Sequence, residues 1–508
     1  MSRLDLSSAT SMVGTARPPA GAGADNARDA WRTLRWTSAA VFMVLLDGTI
    51  LFVAFPSIRR SFPSVLASDL SWILNAYTVV YAALLAPAGR MADRVGRRQV
   101  FVRGVGIFVL GSLACLMAPN PLFLIAGRII QAVGGAMITP SSLALILNAF
   151  PRPKWPVAVS IWAAVGALAA AVGPSLGAAI VQFGGWRWAF LINLPIGILV
   201  LGRSRTALAK SHDPNTAETP DVRGVALLIV SVGLIALGIV KEPEWHVKAV
   251  AWVISGLIFL GWFVTRSLRA PAPALDLSLF RAQDFRYANI ATIVFGGAFS
   301  AMFLGGVLFL TNVWHYDTAH AGLGMTPGPL IVIVVAPLAG RISARIGHRV
   351  LLVLGGIVFG LGFLLRWAVT SGAPHYLSQW LPVVLTTGVG VGLLMPTLAS
   401  AAVHGLPSHR LGVGSAVNQA IRQIGFVLGV AVTIAVVGNA HGPEALAAFH
   451  PMFLLLAVGG LLTALLSIPI NTRSDSEAAL TLSAGQGRIN AMSESSSGRT
   501  QLNKRRSK

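Results

Sequence analysis

The sequence predicts an all-α polytopic membrane protein of about fourteen transmembrane helices, two six-helix halves plus two inserted linker helices. Three observations carry this. Apolar runs of about 20 residues recur along the whole chain, the length that crosses a hydrocarbon core of roughly 30 Å. Basic residues crowd alternate loops. A loop motif that follows the second run returns after the tenth.

Charged residues make up 11% of the 508, and mean hydropathy is +0.71. A soluble protein of this size carries roughly 25% charge. The net charge of +21 is spread over short loops and forms no single binding face, so it reads as a topology signal and no nucleic-acid partner is expected. The lone cysteine, Cys115, lies inside an apolar run and reads as a small buried residue. No Cys or His cluster has ligand spacing, so no metal and no cofactor are expected.

In chain order, residues 1–35 read as a flexible cytoplasmic tail. They are rich in Ala, Gly, Pro and Ser and lack the roughly 7–15-residue apolar core of a signal peptide. Spans are placed near 36–56, 71–88, 101–118, 121–143, 157–180, 188–202, 223–240, 249–265, 288–311, 323–339, 350–369, 379–402, 415–437 and 450–470. The sixth is short and carries Asn193 and Pro195; the tenth carries Pro327, Pro329 and Pro337. Residues 36–202 form the first half, 203–287 a linker with two inserted helices, and 288–470 the second half. Residues 471–508 are a Ser-rich tail ending in Lys504, Arg505, Arg506 and Lys508, a solvated segment or one that touches anionic lipid.

With the N-terminus in the cytoplasm, inner segments hold 31 of the 39 Lys and Arg, counting Arg103 and Arg223 at the inner ends of their spans. Outer loops hold Arg59, Arg60, Arg187, Lys241 and Lys248, and the spans hold, away from their inner ends, Arg128, Arg366 and Arg422. Losing one span would swap the side of every later loop and destroy this split. The even count places both termini inside.

The repeat pairs "GRMADRVGRR" (Gly89–Arg98) with "GRISARIGHR" (Gly340–Arg349), and "GGAMITP" ending at Pro140 with "GVGLLMP" ending at Pro396. Spans 1–6 therefore match spans 9–14. Two repeated six-helix halves with a substrate site between them near the midplane describe one large transporter architecture.

Asp47 is the one deep carboxylate in the spans. It lies about 13–17 Å from either end at 1.5 Å per residue, and a charge there costs about 2.5–3.5 kcal/mol. It reads as a proton-coupling or cation-recognition group, or else as half of a structural ion pair. Arg128, about 11 Å deep from the same side, is the expected partner. Gln131, one turn on, either joins them or bonds a neighbouring helix. Asn418 and Arg422 share a face; Arg422 is left open between anion binding, gate hydration and a helix–helix bond. Arg366, near its span end beside Trp367, is expected to snorkel to the interface.

In the Gly89–Arg98 loop, Gly96 allows a tight turn and Asp93 caps a helix or pairs with a nearby Arg. Arg94, Arg97 and Arg98 stay cytoplasmic and can hold lipid phosphates; Gly89 and Arg90 open the same candidate gating loop. Ala344 replaces Asp93 in the second copy, so the halves are expected to be inequivalent here. In "VGPSLGA", Gly173, Pro174 and Gly177 allow close helix approach and a bend. Gly173–Gly177 is formally a G-x-S-x-G, but a membrane helix lacks the strand–turn–helix setting of a hydrolase elbow.

Together these residues resemble the 14-span drug:proton antiporter family of the major facilitator superfamily, over about residues 36–470. "LDGTILFVAFPSI" (Leu46–Ile58) is similar to its first-span signature, with Phe52 and Phe55 where Asn and Leu are usual. "GRMADRVGRR" resembles the gating-loop motif, "GRIIQAVGGAM" the fourth-span motif, and "VGPSLGA" the antiporter motif, with Ala178 for a usual Gly. "GWRWAFLINLPIG" and "NQAIRQIGFVLG" resemble the 14-span branch. The resemblance implies a major-facilitator-type fold and alternating access driven by protons, exporting small lipophilic, often cationic, compounds. It gives Asp47 and Arg128 the coupling roles and makes Asp93 and Arg94 a cytoplasmic lock. Candidate cargo contacts are Asn75, Gln131, Trp314, Met395 and Asn418. The expected partners are a small-molecule substrate, protons and membrane lipids, and the chain is expected to be a monomer in a bacterial plasma membrane. Uptake of a metabolite is the alternative within transport; a membrane enzyme or non-transporting sensor is the alternative outside it, without a nucleophile–base pair or P-loop to support it.

Overall fold

A computed structural model describes residues 22–208, 221–407, 410–438, 440 and 445–472, all helical or connecting segments without a strand. In a bilayer core the backbone must satisfy its own polar groups, and a helix does so within one segment. Each apolar run accordingly becomes a helix. Thirteen are long and apolar enough to cross a membrane, and a shorter apolar helix falls at the sixth expected span.

The first span is α1 (Ala22–Ser61). The second is α2 (Ala67–Leu70) continued by α3 (Trp72–Val95). Then come α4 (Arg97–Leu116), α5 (Pro121–Ala149) and α6 (Trp155–Gly184). The sixth span is broken into α7 (Trp188–Leu191) and α8 (Asn193–Ala207). The inserted pair is α9 (Val222–Trp245) and α10 (Val247–Arg269). α11 (Gln283–Asn312) is followed by the broken tenth span, α12 (Thr318–Met325) and α13 (Pro327–Ile346). The last four are α14 (His348–Val369), α15 (Leu381–Val403), α16 (Leu411–Val437) and α17 (Ala445–Ser467).

Local chemistry explains the ends. Asn120 accepts from the Phe123 N–H at 2.9 Å, with Pro121 opening α5. Asp221 and Asp317 cap α9 and α12 in the same way. Gly96 and Gly347, at matching places in the two loop motifs, end their helices with φ of 118° and 81°, a region open to glycine at little cost. The tenth span breaks at Thr326, ahead of Pro327; Thr326 keeps helical dihedrals, but proline brings no N–H to continue the ladder.

Six pairings hold the first six spans together: α4 on α5, α3 on α5, α1 on α6, α4 on α8, α1 on α8 and α1 on α5. The same six recur among the last six spans: α14 on α15, α13 on α15, α11 on α16, α14 on α17, α11 on α17 and α11 on α15. The two sets meet where α3 packs on α16 and α6 on α12. α9 and α10 pack on each other, with α9 lying against α3 and α16. Large apolar side chains such as Leu122, Phe183, Val247 and Ile258 are exposed, as a lipid-facing surface requires.

Three expectations are corrected. Residues 22–35 are helical, not tail, and Ala30 and Leu34 pack against Ile146, Phe150 and Ala158; residues 1–21 lie outside the described residues. Lys241 is not in a loop. It is buried within α9 and paired with Asp69 at 2.9 Å and Glu244 at 2.7 Å. At the other end, Thr472 is buried and its Oγ1 accepts from the His348 N–H, so the tail begins docked; residues 473–508 lie outside the described residues.

Candidate functional site

Asp47 sits in the middle of α1 with no exposed surface, and Arg128 in α5 is 1% exposed. Arg128 Nη1 donates to Asp47 Oδ2 at 2.5 Å and to Gln131 Oε1 at 2.8 Å, while its Nε donates to the Ile73 carbonyl at 3.1 Å. Its guanidinium carbon lies 4.0 Å from the centre of the Tyr77 ring. Asp47 Oδ1 accepts from Asn193 Nδ2 at 2.8 Å and Gln131 Nε2 at 3.2 Å. Both amides also reach Ser112 Oγ, at 3.2 and 2.7 Å. Five spans thus converge on one carboxylate. A buried charge pair is tolerable only when its remaining lone pairs and protons are satisfied, and here neutral amides and a hydroxyl supply that.

Sequence reasoning placed Asp47 against Arg128 and Gln131, and the structure brings the three together. It missed Ser112, Tyr77 and Asn193. Asn193 was read only as a flaw in a short span, although a buried amide in an apolar run is itself a signal of a polar partner. Cys115 is buried as expected, with Sγ 3.5 Å from Gln131 Oε1.

The approach of α6 to α1 depends on the glycine–proline run. A Cβ at Gly173 would lie 2.0 Å from Thr49 Oγ1, and one at Gly177 would lie 3.1 Å from Ile50. Pro174 carries the α6 backbone past Gly322 of α12, where a Cβ would meet the Pro174 carbonyl at 2.7 Å. Ser175 pairs with the Thr326 hydroxyl at 2.6 Å, not with a base.

A cavity of about 120 Å³ lies among α6, α11, α13, α14, α15 and α17. Gly305 and Gly306 open one wall, since a Cβ on either would collide with Met452 or Met325. Phe303 on that wall contacts Phe52 of α1, ring centres 6.1 Å apart, which links the cavity to the helix that carries Asp47. Met395 lines the cavity. Trp314 stands behind it, 5.5 Å from Trp380, with its N–H on the Ser371 carbonyl. Asn418 lies elsewhere: it donates to Asn289 and Thr292 and shares a smaller void with Arg422 and Met395. Asn75 is fully buried and its side chain has no hydrogen-bond partner among the described residues. The five expected cargo contacts are therefore not one cluster.

Arg366 departs from expectation. It does not snorkel. It is 4% exposed, lines the cavity, and its guanidinium carbon sits 3.7 Å from the centre of the Trp380 ring. Its neighbours Leu365 and Trp367 face outward instead. Arg422 donates to Gln419 Oε1 and lines the smaller void.

In the loop motif, Asp93 pairs with Arg97 across Gly96 at 2.9 Å. Arg90 donates to the Pro273 carbonyl beyond α10 at 2.5 Å. Gly89 passes Pro140 at close range, Arg94 is exposed and Arg98 half-buried. In the second copy His348 stands at the Arg97 place and binds Thr472 and Ser400 instead.

A helical bundle that spans a membrane many times, with paired six-helix packing around a buried ion pair and an apolar cavity, defines a membrane transporter. The Major Facilitator Superfamily profile matches residues 37–430 and 290–491, and the chain belongs to that superfamily. It is 34% identical to the multidrug resistance protein Stp of Mycobacterium tuberculosis, over 79% of this chain and 74% of that one. It is 29% identical to the tetracenomycin C resistance and export protein of Streptomyces glaucescens, over 79% and 75%. Among solved structures, one described for substrate recognition in proton-dependent oligopeptide transporters superposes with a TM-score of 0.62 at 16% identity, covering 86% of this chain and 98% of that one; at that identity the likeness is one of fold.

Proposed function

We propose that the protein is a proton-coupled antiporter that exports small lipophilic compounds by alternating access. The observation that carries this is the Asp47–Arg128 pair, buried on both sides, with both carboxylate oxygens of Asp47 accepting hydrogen bonds from Arg128, Gln131 and Asn193. Protonating Asp47 removes its charge and strands Arg128 beside neutral partners. Breaking a buried pair on one side costs about 3–5 kcal/mol, while a proton falling through 100 mV releases about 2.3 kcal/mol, plus the pH term. The two are of similar size, so proton binding has the leverage to bias how α1 packs on α5.

The relatives' names, one a multidrug resistance protein and one a resistance and export protein, support outward movement of toxic small molecules. In this reading 36–202 and 288–470 are the moving halves and 203–287 the linker, both termini are cytoplasmic, and the chain works as a monomer. The Gly89–Arg98 loop is the cytoplasmic latch, supported by the Asp93–Arg97 pair and the Arg90 tie to Pro273. Met395 meets cargo, Trp314 backs the cavity wall, and Gln131 serves the charge network.

The test is a susceptibility and accumulation screen across toxic lipophilic compounds, in cells stripped of their own exporters. Wild type is expected to lower accumulation and raise survival for a subset; Asp47→Asn, at equal protein level, is expected not to. Raised accumulation by wild type would reverse the direction, and no change with any compound would overturn export.

A further inference from the structure

Among the described residues two arginines, Arg128 and Arg366, are buried, and they are treated differently. Arg128 has a carboxylate, an amide and a carbonyl. Arg366 makes no hydrogen bond or ion pair among the described residues, and its Nε is sealed from solvent without a partner. Its compensation comes from the faces of Trp380 and Phe453, at 3.7 and 5.7 Å. Cation–π contact offsets part of the cost of burying a guanidinium but satisfies none of its N–H donors.

No internal counter-ion is within reach of the sequence. Between Asp284 and Glu444 the chain carries one acid, Asp317, and it caps α12 and pairs with His320 outside the bundle. Among the described residues that line the cavity, Arg366 is the one charged residue on a wall of methionine, phenylalanine and small side chains, with Thr387 the one hydroxyl. An apolar pocket with a single buried, unpaired fork of donors is complementary to an apolar body bearing a planar oxyanion, which an arginine grips through two parallel N–H bonds.

We propose that the cavity takes an amphipathic aromatic carboxylate and that Arg366 recognises its charged end. This deepens the export reading, on which it rests, and it assigns the cargo a negative charge where the family resemblance led to an expectation of cations. Trp380 holds the guanidinium from one side, so its donor edge is fixed before cargo arrives.

The test uses the full-length protein in lipid nanodiscs and three labelled probes of nearly equal shape: 1-naphthoate, the neutral 1-naphthamide and the cationic 1-naphthylmethylammonium. Wild type is expected to bind 1-naphthoate about tenfold or more tightly than either other probe, the scale of a lost charge-assisted hydrogen-bond pair. Arg366→Gln is expected to bring the naphthoate-to-naphthamide ratio to within about twofold, and Arg366→Lys to retain part of it. Asp47→Asn is expected to leave the ratio unchanged, which separates failure of this assignment from failure of proton coupling. Equal or absent binding of the three probes to wild type would overturn the proposal, as would a ratio that survives Arg366→Gln. Should the Gln variant not fold, the wild-type ratio and the Lys variant decide alone.

Discussion

Replacing Asp47 by Asn tests the pair at its root, because the structure says which bonds survive. Asn Oδ1 can still accept from Asn193 and Gln131, now at 2.8 and 3.2 Å from Asp47 Oδ1. Its amide NH2 then faces Arg128 Nη1 across the 2.5 Å gap that Oδ2 filled, donor against donor, with the guanidinium charge uncompensated. Loss of about 3–5 kcal/mol of stability is expected. Arg128→Gln strands the carboxylate and is expected to cost a similar amount. The double variant removes both charges, so its loss should fall short of the sum by about 3 kcal/mol or more. The assay is reversible unfolding in mixed detergent micelles, run as a double-mutant cycle. Single losses that add within about 0.5 kcal/mol would mean the two side chains are energetically independent, and the coupling argument would fail.

Two further outcomes follow from geometry. Gly173→Ala should cost about 1–3 kcal/mol by overpacking, because its Cβ would lie 2.0 Å from Thr49 Oγ1, whereas Gly177→Ala, 3.1 Å from Ile50, should cost less; thermal melts of the two variants rank them, and the reverse order would refute the α1–α6 account. At Asp221, burial works to raise the carboxyl pKa, but the Arg266 guanidinium and the Gly224 N–H more than offset it and hold it below the usual carboxylate range. A depressed folded-state value stabilises above the unfolded pKa of about 3.9 and loses that contribution as pH falls through the folded value. The melting difference between wild type and Asp221→Asn should therefore be present near pH 6 and shrink as pH falls below the unfolded value toward the lower folded one; a difference that does not shrink in acid would assign the effect to helix capping alone.

Much of this architecture was legible in the chain because membrane helices are written in local composition. Length and hydropathy placed the spans, and the Gly96 turn followed from glycine alone. The Asp47–Arg128 pair was legible because both charges are rare at that depth and lie equally deep from one side. What was not legible depends on which face of a helix turns inward. Depth along α14 suggested that Arg366 reaches the interface, yet it continues the buried stripe of Phe359 and Phe363 at i, i+4 and i+7, a helical period that points into the bundle. Ser112 and Asn193 come from different spans, and nothing local brings them to one carboxylate. Helix ends were underestimated too: Lys241 reads as loop by charge but is buried through partners on α2 and within α9.

Phe52 carries a further consequence. At the position where the family resemblance leads to an expectation of Asn, Phe52 makes an aromatic contact to Phe303. Under the proposed proton-coupled export, a displacement of α1 would bear on the cavity wall through this contact, with no charged residue needed between them.

Proton movement itself tests the central claim most directly. Proteoliposomes loaded with a pH-reporting dye would be given the compound that wild type exports best in the cellular screen. Compound movement by wild type should drive opposing proton flux, and Asp47→Asn should bind the compound yet move no protons against it. Compound transport without proton flux in wild type, or undiminished proton flux in Asp47→Asn, would contradict the account.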